Sequence, residues 1–238
     1  MPTDALRPLA DRGTFDRTPE RYGVSVAGTA LEVFLPTGGA PRYLLLGAHH
    51  GDEPETTVLL STLLRTLTPD ALGSAVVPAL NPDGLAMGTR GNRRGVDLNR
   101  NFPTADWSAE PVCHRWRDED DPRNVALSPG ERPLSEPENQ GLVALIDWLR
   151  PEMIITFHAP LACVDDPGDT PMGRRLAQAT GLPHVADVGY ATPGSFGTWA
   201  AERGQSVITF ELGHESIRDA RIRYEAVVLA LMRGEDVG

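Results

Sequence analysis

The residues with the most chemistry in this 238-residue chain stand together at His49-His50-Gly51-Asp52-Glu53-Pro54. An imidazole and a carboxylate three residues apart, His50 and Glu53, can both turn inward onto one ion. Zinc takes nitrogen and oxygen ligands, and a catalytic zinc keeps three protein ligands and leaves a fourth position for water. His-x-x-Glu is a common spacing, so the pair gains meaning from its place. It follows the apolar run Tyr43-Leu44-Leu45-Leu46 and precedes a helix-like run over residues 55–67. A buried strand would then end where the pair begins, and in open α/β sheets ligands collect at the carboxyl ends of strands.

A third ligand is offered by His158, which has the same grammar: an apolar run over residues 153–157, then imidazole. Two strand ends of one sheet can meet although 108 residues separate them in sequence. A polar strand cap is the plainer account of either histidine alone. Arg90, Arg93, Arg94 and Arg100 crowd into eleven residues of an acidic chain. They make either a solvated basic loop or an anion grip, since guanidinium binds carboxylate at two points in one plane. Glu211 lies inside Ile208-Thr209-Phe210-Glu211-Leu212, where alternation puts Thr209 and Glu211 on one face and Phe210 on the other. A carboxylate in a buried strand is costly without a partner. A metal-bound water or a buried salt bridge would serve.

These groups need elements to hold them. Residues 1–20 read as an irregular arm. Residues 22–27 and 30–35 read as a hairpin around Gly28-Thr29. Residues 42–48 and 75–80 read as buried strands. Pro54 fits the first position of a helix whose apolar face is Val58, Leu59, Leu63, Leu64 and Leu67. Asn81-Pro82-Asp83-Gly84 reads as a turn. It opens a long irregular stretch to residue 121, functional as far as Pro103 and then a solvated excursion through Arg117-Asp118-Glu119-Asp120-Asp121. Ser135 and Glu138 suggest a capping box for a helix that Pro151 ends. Helices follow at 172–180, 195–203 and 217–232, with strands at 184–188 and 207–212. Strand and helix alternate with crossovers long enough for parallel pairing. The expectation is an α/β fold: one domain over residues 1–238, with a mixed, largely parallel twisted sheet and helices on both faces.

Net charge is −11, which argues against a nucleic-acid partner. All 22 basic residues are arginine, which a coding bias explains. Cys113 and Cys163 form no C-x-x-C, and nothing demands a disulfide between them. Residues 1–20 lack a signal-like apolar core, and no run approaches a membrane span. The expectation is a cytoplasmic protein with no membrane partner; oligomeric state is not legible.

The ordered set His50-Gly51-Asp52-Glu53, Asn81-Pro82-Asp83-Gly84, Gly95-Val96-Asp97-Leu98-Asn99-Arg100-Asn101-Phe102, Phe157-His158 and Thr209-Phe210-Glu211-Leu212 resembles the zinc carboxypeptidase family typified by the digestive carboxypeptidases. The likeness runs from about residue 42 to residue 213. Within the family the chain is most similar to the bacterial amidases of γ-D-glutamyl-diaminopimelate. The compact length, Leu161-Ala162-Cys163-Val164-Asp165-Asp166-Pro167 and residues 189–197 carry that likeness. The resemblance implies one Zn2+ ion on His50, Glu53 and His158, with Glu211 as general base and then acid. It implies that Asn99 and Arg100 hold the free carboxylate of a small peptide substrate, a murein tripeptide. Tyr190 would close over that substrate, and Asp97 would orient a zinc histidine. Arg90 is the best match for an oxyanion arginine, with Arg93 and Arg94 as alternatives. Two departures stand out. Ala159 occupies a place where the amidases lead one to expect an acid, and His214 after the base could line the pocket or lie at the surface. An aspartoacylase-like or succinylglutamate-desuccinylase-like deacylase shares part of the pattern. The Thr209–Leu212 residues and the Tyr190 segment favour the peptidase branch. A non-catalytic peptide-binding relative would be expected to lack a ligand or the base, and this chain has them all.

Overall fold

The computed structural model describes residues 15–116 and 123–238. The first fourteen residues of the expected arm, and the charged run from Arg117 to Asp121, lie outside the described residues. In chain order, β1 (Glu20–Val24) and β2 (Ala30–Val33) form an antiparallel hairpin, as the Gly28-Thr29 signal predicts. β3 (Tyr43–Leu46), α1 (Pro54–Leu64), β4 (Ala75–Val77) and the short α2 (Pro82–Met87) follow. β5 (Val112–Trp116) and β6 (Arg123–Leu127) pair as a second antiparallel ribbon. Then come α3 (Pro137–Leu149), β7 (Met153–His158), β8 (Val164–Asp165), α4 (Pro171–Thr180), β9 (His184–Val185), α5 (Phe196–Glu202), β10 (Val207–Glu211) and α6 (Ile217–Met232).

The main sheet runs β4-β3-β7-β10-β8-β9. The four strands β4, β3, β7 and β10 are parallel, β8 is antiparallel to β10, and β9 is parallel to β8. The central strands are apolar on both faces because both faces are covered. Leu45, Ile155, Phe157, Ile208 and Phe210 pack with Leu59, Leu60 and Leu63 of α1, Leu176 of α4, and Tyr224, Val228 and Leu231 of α6. Leu44, Leu46 and Ile154 pack on the opposite face with Leu142 and Leu145 of α3 and Phe196 and Trp199 of α5. The expected mixed, largely parallel sheet with helices on both sides is what forms.

Register sets the ends of the strands. Glu211 of β10 pairs with His158 of β7, and Leu46 of β3 pairs with Thr156 of β7. The carboxyl ends of three neighbouring strands therefore deliver His158, Glu211 and the residues just after Leu46 to one edge of the sheet.

Several local expectations are corrected. Asn81-Pro82-Asp83-Gly84 is the start of α2 rather than a plain turn, because Asn81 Oδ1 caps Gly84 N at 2.9 Å and Pro82 sits in the first turn. The Ser135–Glu138 capping box does not form. Pro137 starts α3, Ser135 Oγ donates to Glu136 Oε1, and the Glu138 carboxylate accepts from Val26 N and Asn92 Nδ2. Tertiary partners outcompete the local cap. The stretch expected to be irregular after Pro103 contains β5, whose pairing with β6 is a long-range event. Val58, assigned to the buried stripe of α1, is 37% exposed. The stripe runs instead through Leu59, Leu60, Leu63 and Leu64.

That difference can be measured. Leu63→Ala removes a fully buried side chain and should cost about 2–5 kcal/mol in denaturant unfolding. Val58→Ala should change stability by no more than about 0.5 kcal/mol. Equal losses would place the core on the wrong face of α1.

Candidate metal centre

The turn after β3 aims His50 and Glu53. Ala48 is held in the left-handed region at φ 45°, an uncommon conformation for a residue with a side chain. Its N donates to Thr56 Oγ1 at 2.9 Å and its O accepts from Asn81 N at 2.9 Å, so the turn is fixed from two sides. Gly51 then passes directly over α2. A Cβ there would lie 2.0 Å from the carbonyl carbon of Gly84, so only glycine fits. This contact couples the glycines of the His-Gly-Asp-Glu and Asn-Pro-Asp-Gly segments. Asp83 ties α2 to the first hairpin, accepting from Ser25 Oγ at 2.8 Å and Ala27 N at 2.8 Å. Glu53 occupies the N-cap of α1, where an acidic side chain ordinarily caps the helix. Here it makes no such bond, and its carboxylate turns to the two histidines.

His50 Nδ1 lies 2.7 Å from Glu53 Oε1, and His158 Nδ1 lies 3.0 Å from Glu53 Oε2 and 3.1 Å from His50 Nδ1. All three residues are buried, and their candidate donor atoms lie within 4.8 Å of one another. Ligands about 2.0–2.1 Å from a tetrahedral zinc stand roughly 3.3 Å apart. The spacing and the nitrogen and oxygen donor set fit such an ion. Asp97 Oδ1 stands 3.3 Å from His50 Nε2, behind the ring. Burial opposes a charge on His50, but Glu53 and Asp97 outweigh it and raise its pKa to about 9. Burial also opposes charge on Glu53, yet the two histidines hold its carboxyl well below the usual range.

Arg90 donates from Nη1 to Glu53 Oε1 at 3.1 Å and from Nε to Asp97 Oδ2 at 3.3 Å. Arg93 and Arg94 point elsewhere: Arg93 reaches Met87 Sδ, and Arg94 lies 3.5 Å from Glu136. Among the three alternatives, only Arg90 is at the cluster. Arg100 is 8% exposed, and Nη1 donates to Asn99 O at 2.6 Å. Among the described residues no carboxylate lies within ion-pair distance of it. Burial draws its pKa downward, the mark of a guanidinium short of a counter-charge. Asn99 Oδ1 accepts from Phe196 N at 2.8 Å, which docks the start of α5 against the arginine loop. Tyr190 is 55% exposed, and burial followed by the charge of Glu211 raises its pKa. His214 is exposed.

Glu211 is buried, and Oε2 accepts from Leu161 N at 3.4 Å. Burial raises its pKa, partly offset by His158. It is a carboxylate that holds a proton more readily than one in water. Two neighbours were not among the expected site residues. His49 is buried and stacks on His158 at 5.6 Å between Phe102 and Phe196. His114 of β5 is pushed down to about 4 by burial and the charges of Arg90 and His50, so the second ribbon stands beside the cluster. The doubled histidine was a signal for the first; nothing in the sequence pointed to the second.

A zinc carboxypeptidase family model (peptidase M14) matches residues 20–164. Murein peptide amidase A of Escherichia coli K12 is 44% identical over 229 residues, covering 95% of this chain and 94% of that protein. The Vibrio campbellii protein of the same name is 41% identical, covering 88% and 85%. The crystal structure of a murein-tripeptide amidase from Escherichia coli O157 superposes with TM-score 0.89 at 44% identity, covering 96% of this chain and 97% of that one. Carboxypeptidase A of Helicoverpa armigera shares the fold at 18% identity, with TM-score 0.69, covering 92% of this chain and 68% of that one.

If the cluster is a metal site, the protein should take up one equivalent of zinc, and a chelator should lower its melting temperature. Asp97→Asn should weaken zinc binding about 10- to 100-fold, and His158→Ala by more. Superimposable melting curves with and without zinc would remove the site.

Proposed function

Because the chain belongs to the zinc carboxypeptidase family, we propose that it hydrolyses the γ-D-glutamyl–diaminopimelate amide of murein peptides, with its whole length serving as one catalytic domain. The observation that carries this reading is the 44% identity to murein peptide amidase A over 95% of the chain. The buried His50-Glu53-His158 triad with Glu211 in register beside it supports the chemistry. A single zinc ion would be held by those three side chains. When bound, zinc supplies Lewis-acid polarisation of the scissile carbonyl and brings the pKa of a water to roughly 7.

The protein's own groups do the rest. Glu211 takes the proton from the attacking water and delivers it to the departing amine. Its raised pKa suits both halves of that transfer. Arg90, anchored by Asp97, places positive charge where the carbonyl oxygen becomes anionic. Arg100, buried and without a carboxylate, takes the free carboxylate of the leaving residue, assisted by the Asn99 amide NH2. Tyr190, on the exposed loop before α5, closes over the bound peptide. Cys113 and Cys163 are free, and no helix among the described residues is long and apolar enough to cross a membrane. The free cysteines accord with a cytoplasmic address.

Incubating L-Ala-γ-D-Glu-diaminopimelate with the zinc protein should release diaminopimelate by mass spectrometry, and a chelator should stop the release. Hydrolysis of acyl-amino acids instead would favour a deacylase. Glu211→Gln should lower turnover about 10²–10⁴-fold with zinc content unchanged; normal turnover would remove Glu211 from its role. Arg100→Ala should weaken substrates with a free leaving-side carboxylate by about 10- to 100-fold and barely affect their amides. Equal losses on both would refute the carboxylate assignment.

A further inference from the structure

Asn92 stands at the bend of the arginine loop, and its whole side chain is committed there. Oδ1 accepts from Arg94 N at 3.0 Å and from Val96 N at 3.2 Å. Nδ2 donates to Glu136 Oε2 at 2.7 Å and to Glu138 Oε2 at 3.2 Å. A side-chain amide has two donors and two acceptor sites, so all are in use. The backbone closes the same turn: Asn92 N donates to Val96 O at 2.9 Å, and Gly95 N donates to Asn92 O at 2.8 Å. The oxygen end of the amide shapes the turn over residues 92–96. The nitrogen end fastens that turn to the start of α3.

The two acids are themselves fixed. Glu136 N donates to Asn101 Oδ1 at 3.2 Å, Glu136 Oε1 accepts from Ser135 Oγ at 2.7 Å, and Glu138 Oε1 accepts from Val26 N at 3.0 Å. Asn92, Glu136 and Glu138 are all buried. Burial raises the pKa of Glu138, and the charge of Glu136 adds to it. Two buried acids gathered on one amide are a poor source of stability. Arg93, Arg94 and Gly95 of the turn are exposed, so the turn itself adds little to the core.

What the turn controls is its two stems, Arg90 and Asp97. Arg90 Nε donates to Asp97 Oδ2, Arg90 Nη1 donates to Glu53 Oε1, and Asp97 Oδ1 faces His50 Nε2. The Arg90 carbonyl is held by two long bonds, from Gly51 N at 3.3 Å and Asn81 Nδ2 at 3.3 Å. We infer that Asn92 is a positioning residue for the metal centre: by clamping the turn to Glu136 and Glu138, it sets how closely Arg90 and Asp97 approach Glu53 and His50. It acts through those two side chains. An offset of about 1 Å at a group beside the reaction costs roughly 10²-fold in rate. Loss of a partner behind a metal-ligating histidine costs about 10- to 100-fold in metal affinity. The inference rests on the amidase reading for the part played by Arg90, and on the metal site for that of Asp97.

The test uses two proteins beside wild type. Asn92→Asp keeps the acceptor for the turn, removes both donors and sets a third carboxylate against the two. Asn92→Asp with Glu136→Gln exchanges donor and acceptor across the 2.7 Å contact at unchanged net charge. Zinc affinity is measured by competition with a chromophoric chelator, and kcat and KM on L-Ala-γ-D-Glu-diaminopimelate, each below the onset of melting. Asn92→Asp should bind zinc about 10-fold more weakly and lower kcat about 10- to 100-fold, with KM changed less than about threefold. The double variant should recover both to within about threefold of wild type. A lower melting temperature with zinc affinity and kcat unchanged would make Asn92 a fold residue only and overturn the inference. So would a loss confined to KM, or one that the second substitution fails to restore. If Asn92→Asp does not fold, Asn92→Ser, too short to reach both acids, is held to the same zinc and kcat criteria. If wild type cleaves nothing, the amidase reading fails and zinc affinity decides alone. Weakening in Asn92→Asp with recovery in the double variant then supports the clamp, and equal affinities overturn it.

Discussion

Two imidazole nitrogens 3.1 Å apart, closed off from water and facing one carboxylate, are the constraint on which the rest of the structure depends. Where both nitrogens present lone pairs, as metal ligands do, a cation between them removes the repulsion. Burial multiplies the cost, because interior charges interact through a low effective dielectric. The surrounding groups answer that demand in layers. Glu53 faces both rings, Asp97 faces the back of His50, and Arg90 bridges Glu53 and Asp97. The arrangement suits a cation at the centre.

The fold brings these groups together cheaply. Parallel pairing of β3, β7 and β10 places three strand ends side by side, so partners distant in sequence meet without long loops. The Gly51–Gly84 contact locks the turn after β3 onto α2, and Asp83 carries that lock to the first hairpin. Asn99 then ties the arginine loop to α5. His158 ends β7, His50 lies in the turn after β3 and Glu53 stands at the N-cap of α1, while Tyr190 sits on an exposed loop.

The strands and helices around the site were legible because their signals are local: apolar runs, and Pro54 at a helix start. The convergence of His50, Glu53 and His158 was legible only through order along the chain, since register is a tertiary fact. Arg90, Arg93 and Arg94 looked alike in sequence; what separates them is that Asp97 and Glu53 lie within reach of one guanidinium. The β5–β6 ribbon and the failed Ser135 cap were missed for one reason. In both, a partner far along the chain outweighed local propensity.

The central claim, that three strand-edge side chains share one divalent cation, is tested most directly by anomalous diffraction at the zinc edge from crystals of the zinc-loaded protein. The account predicts one strong peak about 2.0–2.2 Å from Nδ1 of His50, Nδ1 of His158 and a carboxylate oxygen of Glu53. A peak bound by other residues, or none in crystals of protein that retains amidase activity, would contradict it.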